Sequence, residues 1–340
     1  MNKLHPYYIE DIKNVLSVDG IEELKGKSFL ITGATGLLGT HLVDALMALG
    51  DVKVYAVGRN KERAAERLGE YFENPLFEFI EQDVCTPFAS DLQVDYIIPG
   101  ASNTHPTAYS QYPVETIMIN IKGCENALEL AAMCGATVLY MSSVEVYGNA
   151  RGTDVFTEDY TGVLNLSTSR SCYTESKRLC EAMCLSYIAE KGVKVKTVRL
   201  SRVFGPTMLD SDSKASSQFI KRAIAGEDII LKSEGNQFFS YTYVSDAVAA
   251  MLHVLIHGKV GDAYNVSNTK CNIHLKDFAQ LCAEINGKNV CFELPNDTEK
   301  KGFSIAVNAI LSNDKLRSIG FTPRYDMANA ISRTVEILRK

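Results

Sequence analysis

One stretch near the start of the chain, SFLITGATGLLGTHLVDALMALG over residues 28–50, restricts the fold more than any other. SFLIT reads as a buried strand. Three glycines follow at even spacing, Gly33, Gly36 and Gly39. Leu38, Leu42, Leu46 and Leu49 then recur on one helical face, with Gly50 as a stop signal. A strand that passes through a tight glycine turn into a helix is the first half of a βαβ unit. Further apolar runs follow at VKVYAV (52–57), FEFIEQDV (77–84), YIIPGAS (96–102), TVLYMSS (137–143) and VKVKTVRL (193–200), with helical patterns between them.

That alternation predicts an α/β chain: a Rossmann-type, doubly wound parallel sheet over residues 27–205. Residues 1–26 form an extension in which Tyr8, Ile9, Ile12, Val15 and Leu16 fall at helical spacing. After Gly205-Pro206 the pattern changes to a polar, turn-like stretch (207–217), a helix (218–225), short strands near 229–232 and 241–244, and a helix over 246–257. Residues 206–340 are therefore expected to form mainly a smaller C-terminal α/β domain for substrate, with about 237–260 packing back on the first. A cleft between the two, at the carboxyl ends of the strands, is where such sheets bind ligands.

Composition narrows the function classes. The 340 residues are 46% hydrophobic and 22% charged, with a net charge of −6, so no basic field draws the chain to nucleic acid or an anionic membrane. No apolar run of membrane-spanning length occurs. The N-terminus MNKLHPYYIEDIKNVL has neither the apolar core nor the cleavage site of a signal peptide. Nine cysteines without CxxC pairs read as reduced thiols. A cytoplasmic location is expected.

The glycine turn has a chemical reading. Gly33 permits the turn, Gly36 lets a pyrophosphate approach the backbone, and Gly39 lets helix pack close on strand. Unpaired N–H groups at the helix start, around Thr35, Leu37 and Leu38, then face the phosphates. A dinucleotide cofactor is expected. At the end of the second strand stands Val57-Gly58-Arg59-Asn60-Lys61, with no acid to bind ribose hydroxyls. Arg59 therefore favours NADP over NAD. Asp83 and Val84, closing the third strand, are placed against the adenine.

Tyr173 and Lys177 share a helix face as Y-x-x-x-K. An ammonium there is expected to pull the phenol below its ordinary value and make Tyr173 a general base toward a sugar or alcohol hydroxyl. Ser143, ending the strand TVLYMSS, can hold the same oxygen.

TGATGLLG, DV at 83–84, Asn120 in NIKG, SSVEVYG at 142–148, YTESK at 173–177, RLSRVFGP at 199–206 and YVSDAV at 243–248 occur together and in order. In these the chain resembles the extended short-chain dehydrogenase/reductases, the NAD(P)-dependent nucleotide-sugar epimerase/dehydratase family. The resemblance implies Ser143, Tyr173 and Lys177 in catalysis, with Lys177, Ala101, Ser102 and Asn120 at the cofactor. It also implies a nucleotide diphosphate sugar as substrate, and homodimers joined through a helix bundle. The 4,6-dehydratases carry Asp where this chain has Val144, which cannot move a proton. UDP-glucuronate decarboxylases resemble the chain more closely here, keeping the carboxylate at Glu145 as a catalytic candidate. The stretch DSKASSQFIKRAIAGEDIILKSEGNQ is similar to theirs as well, which places Lys214 and Gln218 at the substrate.

Many relatives have an arginine before Y-V-S-D where this chain reads Gln237-Phe238-Phe239-Ser240. Arg202, where relatives have asparagine, is expected to take over part of the diphosphate charge. His105 is expected to line the substrate cleft. No metal is expected: His253 and His257 are spaced i, i+4, but Val254 stands where a metalloprotease needs glutamate. The reading is an enzyme that oxidises sugar C4 by hydride transfer with Tyr173 as base, closest to decarboxylase or epimerase chemistry. The alternatives are an NADPH-dependent 4-keto-sugar reductase and a non-catalytic dinucleotide-binding redox sensor.

Overall fold

A computed structural model describes residues 1–104, 106–149, 155–293 and 308–339. Its strands are β1 (Ser28–Thr32), β2 (Lys53–Gly58), β3 (Phe77–Glu81), β4 (Tyr96–Pro99), β5 (Thr137–Ser143), β6 (Val155–Phe156), β7 (Lys194–Leu200), β8 (Arg202–Phe204), β9 (Ile229–Leu231), β10 (Phe238–Tyr243), β11 (Ala263–Val266), β12 (Asn272–His274), β13 (Val290–Phe292) and β14 (Asn308–Leu311). Its α-helices are α1 (Pro6–Leu16), α2 (Leu37–Leu49), α3 (Lys61–Leu68), α4 (Pro106–Gln111), α5 (Pro113–Cys134), α6 (Ser171–Lys191), α7 (Ala215–Ala225), α8 (Val244–His257), α9 (Leu275–Glu284), α10 (Asp314–Ser318) and α11 (Met327–Leu338).

Seven parallel strands form the main sheet in the order β11-β7-β5-β4-β1-β2-β3. The order reverses between β1 and β4, which opens a crevice at their carboxyl ends. β1 occupies the span expected of SFLIT and is buried from Phe29 on, as a central strand covered on both faces must be. Helix α2 is flanked by Gly36 and, at its end, by Gly50, whose φ of 71° and ψ of 162° form a backbone conformation open essentially to glycine.

The smaller unit is built on a second sheet, β12-β10-β14-β6, with β8 paired to β10 and a two-stranded β13-β9 ribbon. From it the chain returns through α8, which packs on α1 and α2, to β11 at the edge of the main sheet. The N-terminal helix is tied in by a buried polar cluster. Asp11 accepts from Arg333 Nη2 at 2.7 Å and from the Tyr243 hydroxyl, and Asn14 Nδ2 donates to Ser245 Oγ at 3.0 Å. Asp246 accepts the backbone N–H groups of Arg324 and Tyr325 at 2.9 and 3.0 Å. Among the described residues no helix is long and apolar enough to cross a membrane.

Candidate active site

The carboxyl ends of β1, β2, β4 and β5 open into one cavity of about 1060 Å³ that continues under the smaller unit. Its cofactor end is shaped by glycine. Gly33 has φ +68°, and a Cβ there would meet the Gly100 carbonyl at 2.8 Å. A Cβ on Gly39 would meet the Gly33 oxygen at 2.3 Å, so the helix sits as close to the turn as backbone allows. Gly36 caps α2 without a side chain, which leaves the first N–H groups of the helix directed at the cavity. Thr35, Leu37 and Leu38 complete this wall; Asp83, Val84, Ala101 and Ser102 line it further along. This is a cradle fitted to a pyrophosphate.

Arg59 stands at the lip. Its Nη1 lies 3.2 Å from Glu115 Oε1 and 3.8 Å from Asp83 Oδ2, and all three side chains are about half exposed. Such exposed pairs contribute little, so they do not hold the guanidinium against a competing phosphate. Asn120 does not reach the cavity. It is buried behind the wall, where its Nδ2 donates to Ser176 Oγ at 2.8 Å and joins α5 to α6.

The end of the cavity that holds the candidate catalytic residues is assembled from β5, the turn after it, and the first turns of α6. Tyr173 and Lys177 are buried one helical turn apart. Lys177 Nζ donates to the Met141 carbonyl at 2.8 Å and lies 5.9 Å from the centre of the Tyr173 ring. Burial pushes the Tyr173 phenol up to about 12, opposed by the Ser143 hydroxyl and the Arg170 charge. The expected lowering of the phenol below its ordinary value is not found: burial dominates, and the Glu145 charge raises it further. Desolvation of the phenolate is the larger effect, and it lowers the Lys177 ammonium as well. Glu145 lies at the same wall with both oxygens engaged: Arg170 Nη2 donates to Oε1 at 2.9 Å and Thr174 Oγ1 to Oε2 at 3.2 Å.

Toward the smaller unit, the Arg202 guanidinium lies 3.5 Å over the Phe239 ring, a cation–π stack, and makes no ion pair among the described residues. Lys214 and Gln218 also line the cavity, Lys214 paired with Asp212 at 2.8 Å and Gln218 Nε2 donating to the Ser213 carbonyl at 2.7 Å. His105 lies outside the described residues. His253 and His257 meet the backbone oxygens of Ile319 and Asp19.

Two wall residues escaped the sequence reading. Arg170 sits in the polar run STSRSC, and its guanidinium lies 4.5 Å from the Tyr109 ring centre. Tyr109, on α4, in turn packs 5.0 Å from the Tyr173 ring. An arginine three residues before Y-x-x-x-K was the available signal for Arg170; Tyr109 had none, because its contact is made by packing of α4 on α6.

A parallel doubly wound sheet with a glycine cradle at its switch point and a Ser-Tyr-Lys set in the same cavity defines an enzyme that works with a bound nicotinamide dinucleotide. A family model described as the NAD dependent epimerase/dehydratase family matches residues 29–267, and the chain belongs to that family. It is 32% identical to UDP-glucuronic acid decarboxylase 1 of Xenopus tropicalis over 328 residues, 94% of this chain and 74% of that protein. It is 34% identical to UDP-glucuronic acid decarboxylase 2 of Arabidopsis thaliana over 81% of this chain but only 60% of that longer protein. Among solved structures, UDP-glucuronic acid 4-epimerase from Bacillus cereus, in complex with UDP-glucuronic acid and NAD, superposes with a TM-score of 0.79 at 19% identity, covering 92% of this chain and 98% of that one. UDP-glucose 4-epimerase from Thermotoga maritima gives 0.78 at 21%, over 91% and 98%. At these identities the likeness is one of fold.

Proposed function

We propose that the protein acts on a nucleotide diphosphate hexuronate, oxidising sugar C4 and using the resulting ketone to lose the neighbouring carboxylate as carbon dioxide. The observation that carries this reading is the convergence of Ser143, Tyr173 and Lys177 in one cavity with the glycine cradle. The names of the decarboxylase relatives support the substrate class. A nicotinamide dinucleotide held by the cradle of Gly33, Gly36 and Gly39 would supply the reversible hydride acceptor for C4.

The chain's own residues manage the protons. Tyr173, as phenolate, removes the C4 hydroxyl proton, and Ser143 holds the same oxygen by hydrogen bonding. Lys177, fixed by the Met141 carbonyl, supplies positive charge beside the phenolate. In the 4-keto acid the C5–C6 bond breaks, its electrons pass to the ketone oxygen, carbon dioxide departs, and a proton returns to C5. Arg202, stacked on Phe239, holds the diphosphate, with Lys214 and Gln218 at the same end. Incubation with UDP-glucuronic acid and cofactor should release carbon dioxide and a UDP-pentose, and Tyr173→Phe should cut turnover about 10²–10⁴-fold while retaining cofactor. Absence of carbon dioxide from UDP, dTDP, GDP and CDP hexuronates would overturn the decarboxylase reading.

Arg59 and the nearby Arg63 support NADP as the preferred dinucleotide, and with it a second reading, reduction of a 4-keto sugar by NADPH. Two copies of the chain associate through α5 and α6, a reading supported by exposed Val114 and Met118 on one helix and Leu179 and Leu185 on the other.

A further inference from the structure

The wall beside Tyr173 carries more positive charge than the protein neutralises. Arg170 lines it, its one ion pair among the described residues is to Glu145, and Arg202, further along the cavity toward the smaller unit, has no acid partner among them. Arg170 gives only Nη2 to that carboxylate; its Nε and Nη1 are buried with no hydrogen-bond partner, as is Nη1 of Arg202. A buried donor left unmade costs about 1–3 kcal/mol, and more on a charged group. Sites of this kind are completed by an acceptor that arrives with a ligand.

Position decides which part of the ligand. Arg170 is held at the reacting end, stacked on the Tyr109 ring that itself packs on Tyr173. In a pyranose whose C4 hydroxyl meets Tyr173, the diphosphate leaves from C1, across the ring, whereas C6 is carried by C5, the neighbour of C4. An anion beside Tyr173 is therefore the substituent at C6. We propose that Arg170 binds the C6 carboxylate of the sugar through its two unpartnered N–H groups and so makes the site selective for hexuronates over neutral hexoses. This rests on the reading of the cavity as a nucleotide-sugar site. Glu145 and Tyr109 act as positioning residues that hold the guanidinium in place.

The test is calorimetric binding of UDP-glucuronic acid and UDP-glucose to cofactor-saturated protein. The wild type should prefer the acid by about tenfold to a hundredfold. Arg170→Met should erase that preference, with UDP-glucose affinity within about threefold of the wild type. Arg170→Lys should recover part of the preference, because it restores charge without the fixed fork. Arg170→Gln, polar but uncharged, decides the matter should the methionine variant not fold. Equal affinity of the wild type for the two sugars, an undiminished preference in Arg170→Met or Arg170→Gln, or equal loss of both ligands would overturn the assignment. Failure of the wild type to bind either ligand would instead remove the nucleotide-sugar reading on which it rests.

Discussion

Tyr173 begins as a phenol that burial keeps protonated, with a value near 12. In the proposed mechanism its conjugate base is the active form, so kcat/KM for sugar oxidation should climb with pH across the neutral and alkaline range. Lys177→Met removes the ammonium that lies 5.9 Å from the ring centre, which should make the phenolate still harder to form. The climb should then move to higher pH, and Tyr173→Phe should abolish it; a flat profile in the wild type would assign proton removal to another group. At the other end of the cavity, Arg59→Ala should weaken NADP about tenfold or more and leave NAD nearly unchanged, read from the ratio of dissociation constants. Equal loss of both cofactors would end the NADP assignment. Tyr173, Lys177 and the three glycines were legible because each is defined by spacing along one turn or one helix face. Arg202 was legible from its place in RLSRVFGP and Arg170 only from its spacing before Tyr173, but which of their N–H groups remain unpartnered is decided by packing.

At the scale of elements, the strand–turn–helix start tolerates almost no added volume. Gly39→Ala places a methyl 2.3 Å from the Gly33 oxygen and 2.7 Å from the Ala34 Cα, both backbone atoms. The variant should lose about 1–3 kcal/mol of stability in thermal melts and bind cofactor more weakly, because turn and helix must part to admit it. Helices α5 and α6 pack on each other yet leave Leu179 and Leu185 exposed. Leu179→Glu should shift sedimenting protein from dimer to monomer, and an unchanged particle mass would refute association through this face. The long central strands were readable to within three residues from apolar runs, the overruns falling after β3 and β4. The second sheet was not, because β6, β8, β12 and β14 have only two to four residues each, too few for alternation to register. Their partners are also far apart in sequence: β14 meets β6 and β10, and β10 meets β8.

Across the whole molecule, the polar cluster that clasps α1 against α8 and α11 gives stability a pH dependence. Burial raises the Asp246 carboxyl to about 6 despite its two backbone donors. A group whose folded value lies above its unfolded one stabilises the protein fully below the unfolded value, and that contribution disappears as pH rises through the folded value. Denaturant unfolding should show stability falling by on the order of 3 kcal/mol between about pH 4 and pH 6 from this residue, with the slope reduced in Asp246→Asn. An identical slope in the variant would place the titration elsewhere in the cluster. The late return of the chain to β11 bears on a different matter, the order in which a ribosome delivers the protein. The edge of β7 that β11 covers stays bare until Val266 has been made, so through the synthesis of the entire intervening stretch the nascent chain presents an unpaired parallel edge to its neighbours. A chain stopped after Gly205 would keep that edge permanently and should precipitate, whereas one extended through Ser267 carries its own cover.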